Sequence, residues 1–219
     1  MAPAPSTAPR PPIDPSAPAA RRALEVALAL NTLMFAIEGI AGAWINSAML
    51  LAGAAAYLAH AGALARVAWV SEWETKDRRF AELVLGLTLG ATGIAAAGEI
   101  IRRLIFGGAP DAVMVAQVAG LGVIVSLICA WRLARAGLEE GGARSLWRAV
   151  RRDVVFNLLV LVAAALIMRT HWRWPDVLVG LALAGFNLWA GRDILGGVGR
   201  SLAPRPLPPS GADDVTLGG

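Results

Sequence analysis

Six polar side chains stand out because each falls within a long apolar stretch: Asn31, Glu38, His60, Glu99, Asp153 and Asn157. Asn187 is a weaker seventh. A charge at the centre of a bilayer costs about 2.5–3.5 kcal/mol on insertion scales, so each ionisable group among them needs a reason to be there. Spacing says which can act together. Asn31 and Glu38 are seven residues apart, two turns along one helical face. Asp153 and Asn157 are four apart, one turn, so their oxygens can converge on one point. A neutral imidazole nitrogen with carboxylate and amide oxygens suits a divalent ion such as zinc, which takes about four ligands in a tetrahedron. His60, Asp153 and Asn157 supply two good ligands and one poor one, and water or Glu38 has to complete the set.

Plainer roles compete with that chemistry. Glu99 is followed three and four residues on by Arg102 and Arg103, the spacing of an ion pair at the end of a span. Asn31 and Asn187 fit interhelical hydrogen bonding, which membrane bundles use widely. His60 fits a packed, neutral imidazole bonded to a carbonyl, and Asp153, directly after Arg151 and Arg152, fits a local salt bridge. Glu38 has no cation within one turn of its own helix and is the hardest to assign a structural role. His171 sits among Trp172 and Trp174 in a short turn and reads as an interfacial residue.

The elements that must position these groups follow from composition. Of the 219 residues 57% are hydrophobic and only 16% charged, against about 45–50% apolar and 25% charged in a soluble domain. Mean hydropathy is +0.59. Seven of the 13 prolines lie in residues 1–20 and four in 204–209, leaving Pro110 and Pro175 between. A soluble enzyme, a coiled coil and a disulfide scaffold are excluded, Cys129 being the only cysteine. The expectation is an all-α polytopic membrane protein with a Pro/Ala-rich disordered tail over 1–21, a transmembrane domain over 22–202 and a second disordered tail over 203–219. Six spans of roughly 20 apolar residues fit within it, near 24–45, 47–70, 80–105, 112–133, 149–168 and 177–195. Spans one and two, separated by Asn46, form a hairpin.

The positive charge serves topology. With both termini on one side, 16 of the 20 Arg and Lys residues fall on that side and four, Arg102, Arg103, Arg169 and Arg173, on the other. The positive-inside bias puts both termini in the cytoplasm of a multi-pass protein, read here as residing in a bacterial inner membrane. The cations form no stripe interleaved with aromatics, so nucleic acid is not an expected partner, and lipid headgroups are. No Ser–His–Asp spacing, phosphate-binding Gly-rich loop or Cys/His cluster points to an enzyme.

Several motifs together resemble the cation diffusion facilitator family of metal–proton antiporters. Span one reads Asn31-Thr-Leu-Met-Phe-Ala-Ile-Glu38-Gly-Ile-Ala-Gly, and Asn46-Ser-Ala-Met-Leu-Leu-Ala52 then opens span two. Span five carries Asp153-Val-Val-Phe-Asn157, like the family's ligand pair four residues apart, and Trp174-Pro-Asp-Val-Leu-Val-Gly180 resembles the start of its last helix. The likeness covers about residues 24–202. It implies a ligand pair on span two, which here falls on Ala56 and His60, and a second on span five at Asp153 and Asn157. Gly53, where many members carry an extra Asp, has no side chain, and the chain resembles a short branch without the large cytoplasmic metal-binding domain that usually follows span six.

Two function classes follow. The first is a secondary transporter exporting a divalent, zinc-like cation in exchange for protons, with His60, Asp153 and Asn157 as metal ligands and Asn31, Glu38 and Glu99 as accessory or proton-linked groups. An imidazole changes charge between about pH 5 and 8, so protonation of His60 would compete with the metal. No permanently bound cofactor is expected, the metal being substrate, and the resemblance implies a homodimer. The second class is a membrane protein that keeps the bundle and serves as a structural or partner subunit, favoured by Ala56 and Gly53.

Overall fold

The structure, a computed structural model, describes residues 17–69, 75–107, 109–137 and 144–202. The tail readings over 1–16 and 203–219 and the loop containing Glu139 and Glu140 lie outside these. Six helices account for the expected spans: α1 (Pro18–Trp44), α2 (Ala48–Ala68), α3 (Thr75–Phe106), α4 (Ala112–Arg135), α5 (Arg144–Thr170) and α6 (Trp174–Leu202). No strand occurs among the described residues. By length and composition α1 to α5 can each cross a membrane. α6 is 29 residues long and packs along α3, α2 and α5. The protein is an all-α, multi-pass membrane protein.

Helix ends depart from the expected bounds in both directions, for local reasons. α1 starts at Pro18, inside the segment expected to be a disordered tail. The fixed φ of proline suits a first helical position, and Ala20, Ala23 and Leu24 are buried there. α3 starts at Thr75, ahead of the expected span, with Asp77 in its first turn, where an acidic side chain is favoured. α2 and α4 begin on side-chain caps. Ser47 accepts from the Leu50 amide at 3.3 Å, and Asp111 accepts from Val113 and Met114 at 3.0 and 3.2 Å. Asn46 turns the α1–α2 hairpin with a left-handed φ of 55°, a conformation asparagine tolerates better than most residues.

The helices pack as three close pairs, α1 with α2, α3 with α6 and α4 with α5, while α2 also touches α3, α5 and α6. α2 is the hub, and its buried residues are mostly alanines, which let neighbouring backbones approach. Bulky side chains such as Ile40, Phe80, Ile94 and Val155 are exposed on the outside, as expected where the solvent is lipid. Polar groups tie the turns together at the end away from the termini. Arg102 Nη2 donates to Asn46 Oδ1 at 3.3 Å, Arg103 Nη1 lies 3.6 Å from Asp176 Oδ2, and Arg173 Nη1 donates to the Gly107 carbonyl at 2.7 Å. Thus the α1–α2, α3–α4 and α5–α6 turns share one end. At the opposite end Arg66 pairs with Glu82 at 3.1 Å, joining α2 to α3.

Candidate functional site

His60 is three turns into α2 and Asp153 lies about a third of the way along α5, on helices that meet inside the bundle. The two are 93 residues apart in sequence, yet His60 Nδ1 is 2.8 Å from Asp153 Oδ2. Both residues are buried. The contact is close but off the line a ring N–H would take, so Nδ1 is left without a hydrogen bond. The two side chains form a close, buried imidazole–carboxylate pair between α2 and α5. This contact replaces the local salt bridge that Arg151 and Arg152 offered Asp153. The Arg152 guanidinium instead lies over the Phe186 ring, 4.9 Å from its centroid.

Asn157, one turn along α5, is buried and directed. Its amide nitrogen donates to Tyr57 Oη at 2.8 Å and to the Asp153 carbonyl at 2.9 Å. With both N–H groups engaged, Oδ1 is left as an acceptor lying against Gly122 of α4. Tyr57 donates to the Gly122 carbonyl at 3.3 Å and lies 3.4 Å from Ser126 Oγ, so α4 anchors the ring that orients Asn157. Gly122 is required by this arrangement, because a Cβ there would collide with Asn157 Oδ1 and come within 2.8 Å of Tyr57 Oη.

A cavity of about 20 Å³ adjoins these groups, lined by Glu38, Gly53, Ala56, Tyr57, Asp153 and Asn157 with apolar side chains behind them. That is room for one water-sized particle. Glu38 is 2% exposed, and its Oε2 has no hydrogen-bond partner among the described residues. Among those residues no three His, Cys, Asp or Glu side chains are grouped closely enough to hold a metal ion by themselves. Two carboxylates, Glu38 and Asp153, and the Asn157 amide line this small space, and His60 pairs with Asp153 from outside the lining.

The remaining candidates lie elsewhere. Asn31 donates to the Ala27 carbonyl at 2.7 Å and to Cys129 Sγ at 3.7 Å, at the contact of α1 with α4. Asn187 donates to the Ala52 carbonyl at 2.8 Å and joins α6 to α2. Glu99 is held by arginines on its own helix: Arg102 through Nε at 2.8 Å and Nη2 at 2.6 Å, and Arg103 through Nε at 2.9 Å. It is the ion pair at a helix end that its spacing offered, and it does not join the His60 group.

Sequence reasoning passed over Tyr57, Gly122 and Ser126. Tyr57 had a signal: it is the chain's only tyrosine, three residues before His60 and hence on the same face of α2. Gly122 and Ser126 had none, for they matter only through what α4 packs against.

Residues 24–203 match the family model described as the cation efflux transmembrane domain. An uncharacterized transporter of Synechocystis sp. is 39% identical over 90 residues, which make up 40% of this chain and 29% of that protein. The match therefore takes in less than a third of that relative's length.

Proposed function

The chain belongs to the cation efflux family, whose transmembrane domain its residues 24–203 match, and from that membership we propose that it exports a divalent, zinc-like cation in exchange for protons. The observation that carries the reading is the 2.8 Å approach of His60 Nδ1 to Asp153 Oδ2, with Asn157 one turn away. Two side chains farther apart than about 6–7 Å could not share an ion at ligand distances of about 2.0–2.2 Å. His60 and Asp153 meet that condition easily. In this reading His60, Asp153 and Asn157 bind the cation, and a proton taken up by the imidazole displaces it, since only the neutral ring is a ligand. The termini face the cytoplasm of a bacterial inner membrane, from which the cation leaves.

Transport requires the site to open to each side in turn. The division of the helices supports rocking of α1, α2, α4 and α5 against the α3–α6 pair, because α3 and α6 pack closely on one another. Substrate would then cross at the surface where α2 and α5 meet α6.

A second reading is a bundle that no longer transports and serves as a structural or partner subunit. It is favoured by Ala56, which brings no ligand to the cavity it lines, and by the absence of a three-residue His/Cys/Asp/Glu cluster among the described residues. Purified protein in liposomes loaded with a zinc-sensitive dye separates the two. Zinc uptake driven by a proton gradient, and abolished by both His60→Ala and Asp153→Ala, is the expected result. Uptake no faster than in empty liposomes, with cobalt and manganese equally inert, would overturn the transporter.

A further inference from the structure

At the end of the bundle away from the termini, Arg102 and Arg103 are engaged by Glu99 and Arg173 by the Gly107 carbonyl. Two arginines at the opposite end are used differently. Arg132 and Arg135 stand in the last turn of α4, and neither pairs with a carboxylate among the described residues. Both guanidinium groups lie over the ring of Trp131 instead, Arg135 at 4.6 Å from its centroid and Arg132 at 5.8 Å. The ring attracts their positive charge but leaves their N–H forks in need of an acceptor. One exposed tryptophan thus gathers two cationic forks with no anion between them.

The surface leading to these arginines is apolar. Ile124, Leu127, Ile128 and Trp131 recur at three- and four-residue steps and so form one stripe along α4, each between 40% and 56% exposed. Arg135 continues the stripe one turn beyond Trp131. A face that is apolar for two turns and cationic for the next complements an amphiphile with an anionic head. A free anion or an acidic protein segment would leave the apolar stripe unused. Trp131 stands at the junction, where aromatic rings sit level with lipid headgroups. We propose that the last turns of α4 are a binding site for an anionic lipid. Arg132 and Arg135 hold its headgroup phosphate between their forks, and an acyl chain lies along the stripe from Ile124 to Trp131. The site does not depend on whether the bundle carries a cation.

The test is lipid binding by the purified full-length chain in a neutral detergent, followed by native mass spectrometry during titration with phosphatidylglycerol and, in parallel, phosphatidylcholine. Wild type is expected to hold phosphatidylglycerol the more tightly. Arg135→Gln is expected to weaken it about fivefold, the effect of one basic residue at an anionic surface, and Arg132→Gln/Arg135→Gln about 25-fold. Trp131→Leu keeps the apolar stripe but removes the ring that gathers the two forks, and an intermediate loss is expected. Arg22, exposed on α1 at the same end, is the control for charge alone. Arg22→Gln is expected to change phosphatidylglycerol binding by less than about twofold, a distant charge being screened. Melting temperatures without added lipid report that every variant folds. Equal affinity of wild type for the two lipids overturns the site. A loss in Arg22→Gln as large as in Arg135→Gln also overturns it, because charge in general would then be the attraction. Displacement of phosphatidylglycerol by millimolar inorganic phosphate overturns the lipid as its ligand.

Discussion

Ser47, the cap of α2, donates its hydroxyl to Asp176 Oδ1 on α6 at 2.7 Å. The same carboxylate accepts from the Ala48 and Met49 amides at 3.0 and 3.2 Å and lies 3.6 Å from Arg103 Nη1 on α3. A single buried acid thus satisfies the first free amides of α2 and fastens that helix to the α3–α6 pair.

Asp176→Ala leaves the Ala48 and Met49 amides without their acceptor and Arg103 with Glu99 as its remaining carboxylate partner. Removing one member of a buried pair costs about 3–5 kcal/mol, and thermal unfolding in detergent is expected to show a loss of that order. Asp176→Asn, which keeps an acceptor for Ser47, is expected to lose less. Equal melting temperatures for wild type and Asp176→Ala would refute the role.

Two glycines on α4 offer a matched comparison. A Cβ at Gly122 meets Asn157 and Tyr57, whereas one at Gly120 meets nothing within 4 Å. Gly122→Ala is expected to destabilise by about 1–3 kcal/mol through overpacking. Gly120→Ala is expected to be neutral or to stabilise by up to about 1 kcal/mol, as alanine replacing glycine in a helix does. Chemical or thermal unfolding of both variants checks the contrast, and a reversed order would contradict the packing at Asn157.

Tyr57→Phe removes the acceptor of one Asn157 N–H and the donor to the Gly122 carbonyl. The expected cost is about 1 kcal/mol or somewhat more in stability. Zinc affinity is expected to fall as well, because Asn157 can then turn its amide nitrogen toward the cavity. Calorimetry on the folded variant reads this, and unchanged affinity would mean that Tyr57 does not orient Asn157.

Glu99→Gln should separate the helix-end ion pair from transport. The carboxylate bridges Arg102 and Arg103 and stands apart from the His60 group. Zinc uptake is expected to match wild type, with a stability loss of about 1 kcal/mol for a partly exposed charged pair. Abolished uptake in a folded variant would show that Glu99 belongs to the proton path.

Much of this was legible along the chain. The helices and their order could be read from apolar segments and punctuating charges, while some ends moved, as where Pro18 and Asp77 stand in first turns that begin ahead of the apolar core. The Glu99 pair and the Asn187 bond followed from local spacing and from the scarcity of partners in lipid. His60, Asp153 and Asn157 could be nominated by residue type. Gly53 read as a lost ligand position. Only against α1 does it become the space that Glu38 occupies.

What the sequence determined by itself is the class of protein: all-α, multi-pass, with a handful of polar groups held inside. Hydropathy and charge are sums over neighbouring residues, and a bilayer admits few ways to satisfy a backbone, so those sums are enough. Tertiary structure alone decided which polar groups meet. His60 reaches Asp153 across 93 residues, Glu38 enters the gap at Gly53, and Tyr57 rather than a charged residue orients Asn157. Each depends on how far every helix is turned about its own axis when small residues let the backbones close, and hydropathy along the chain carries no record of that rotation.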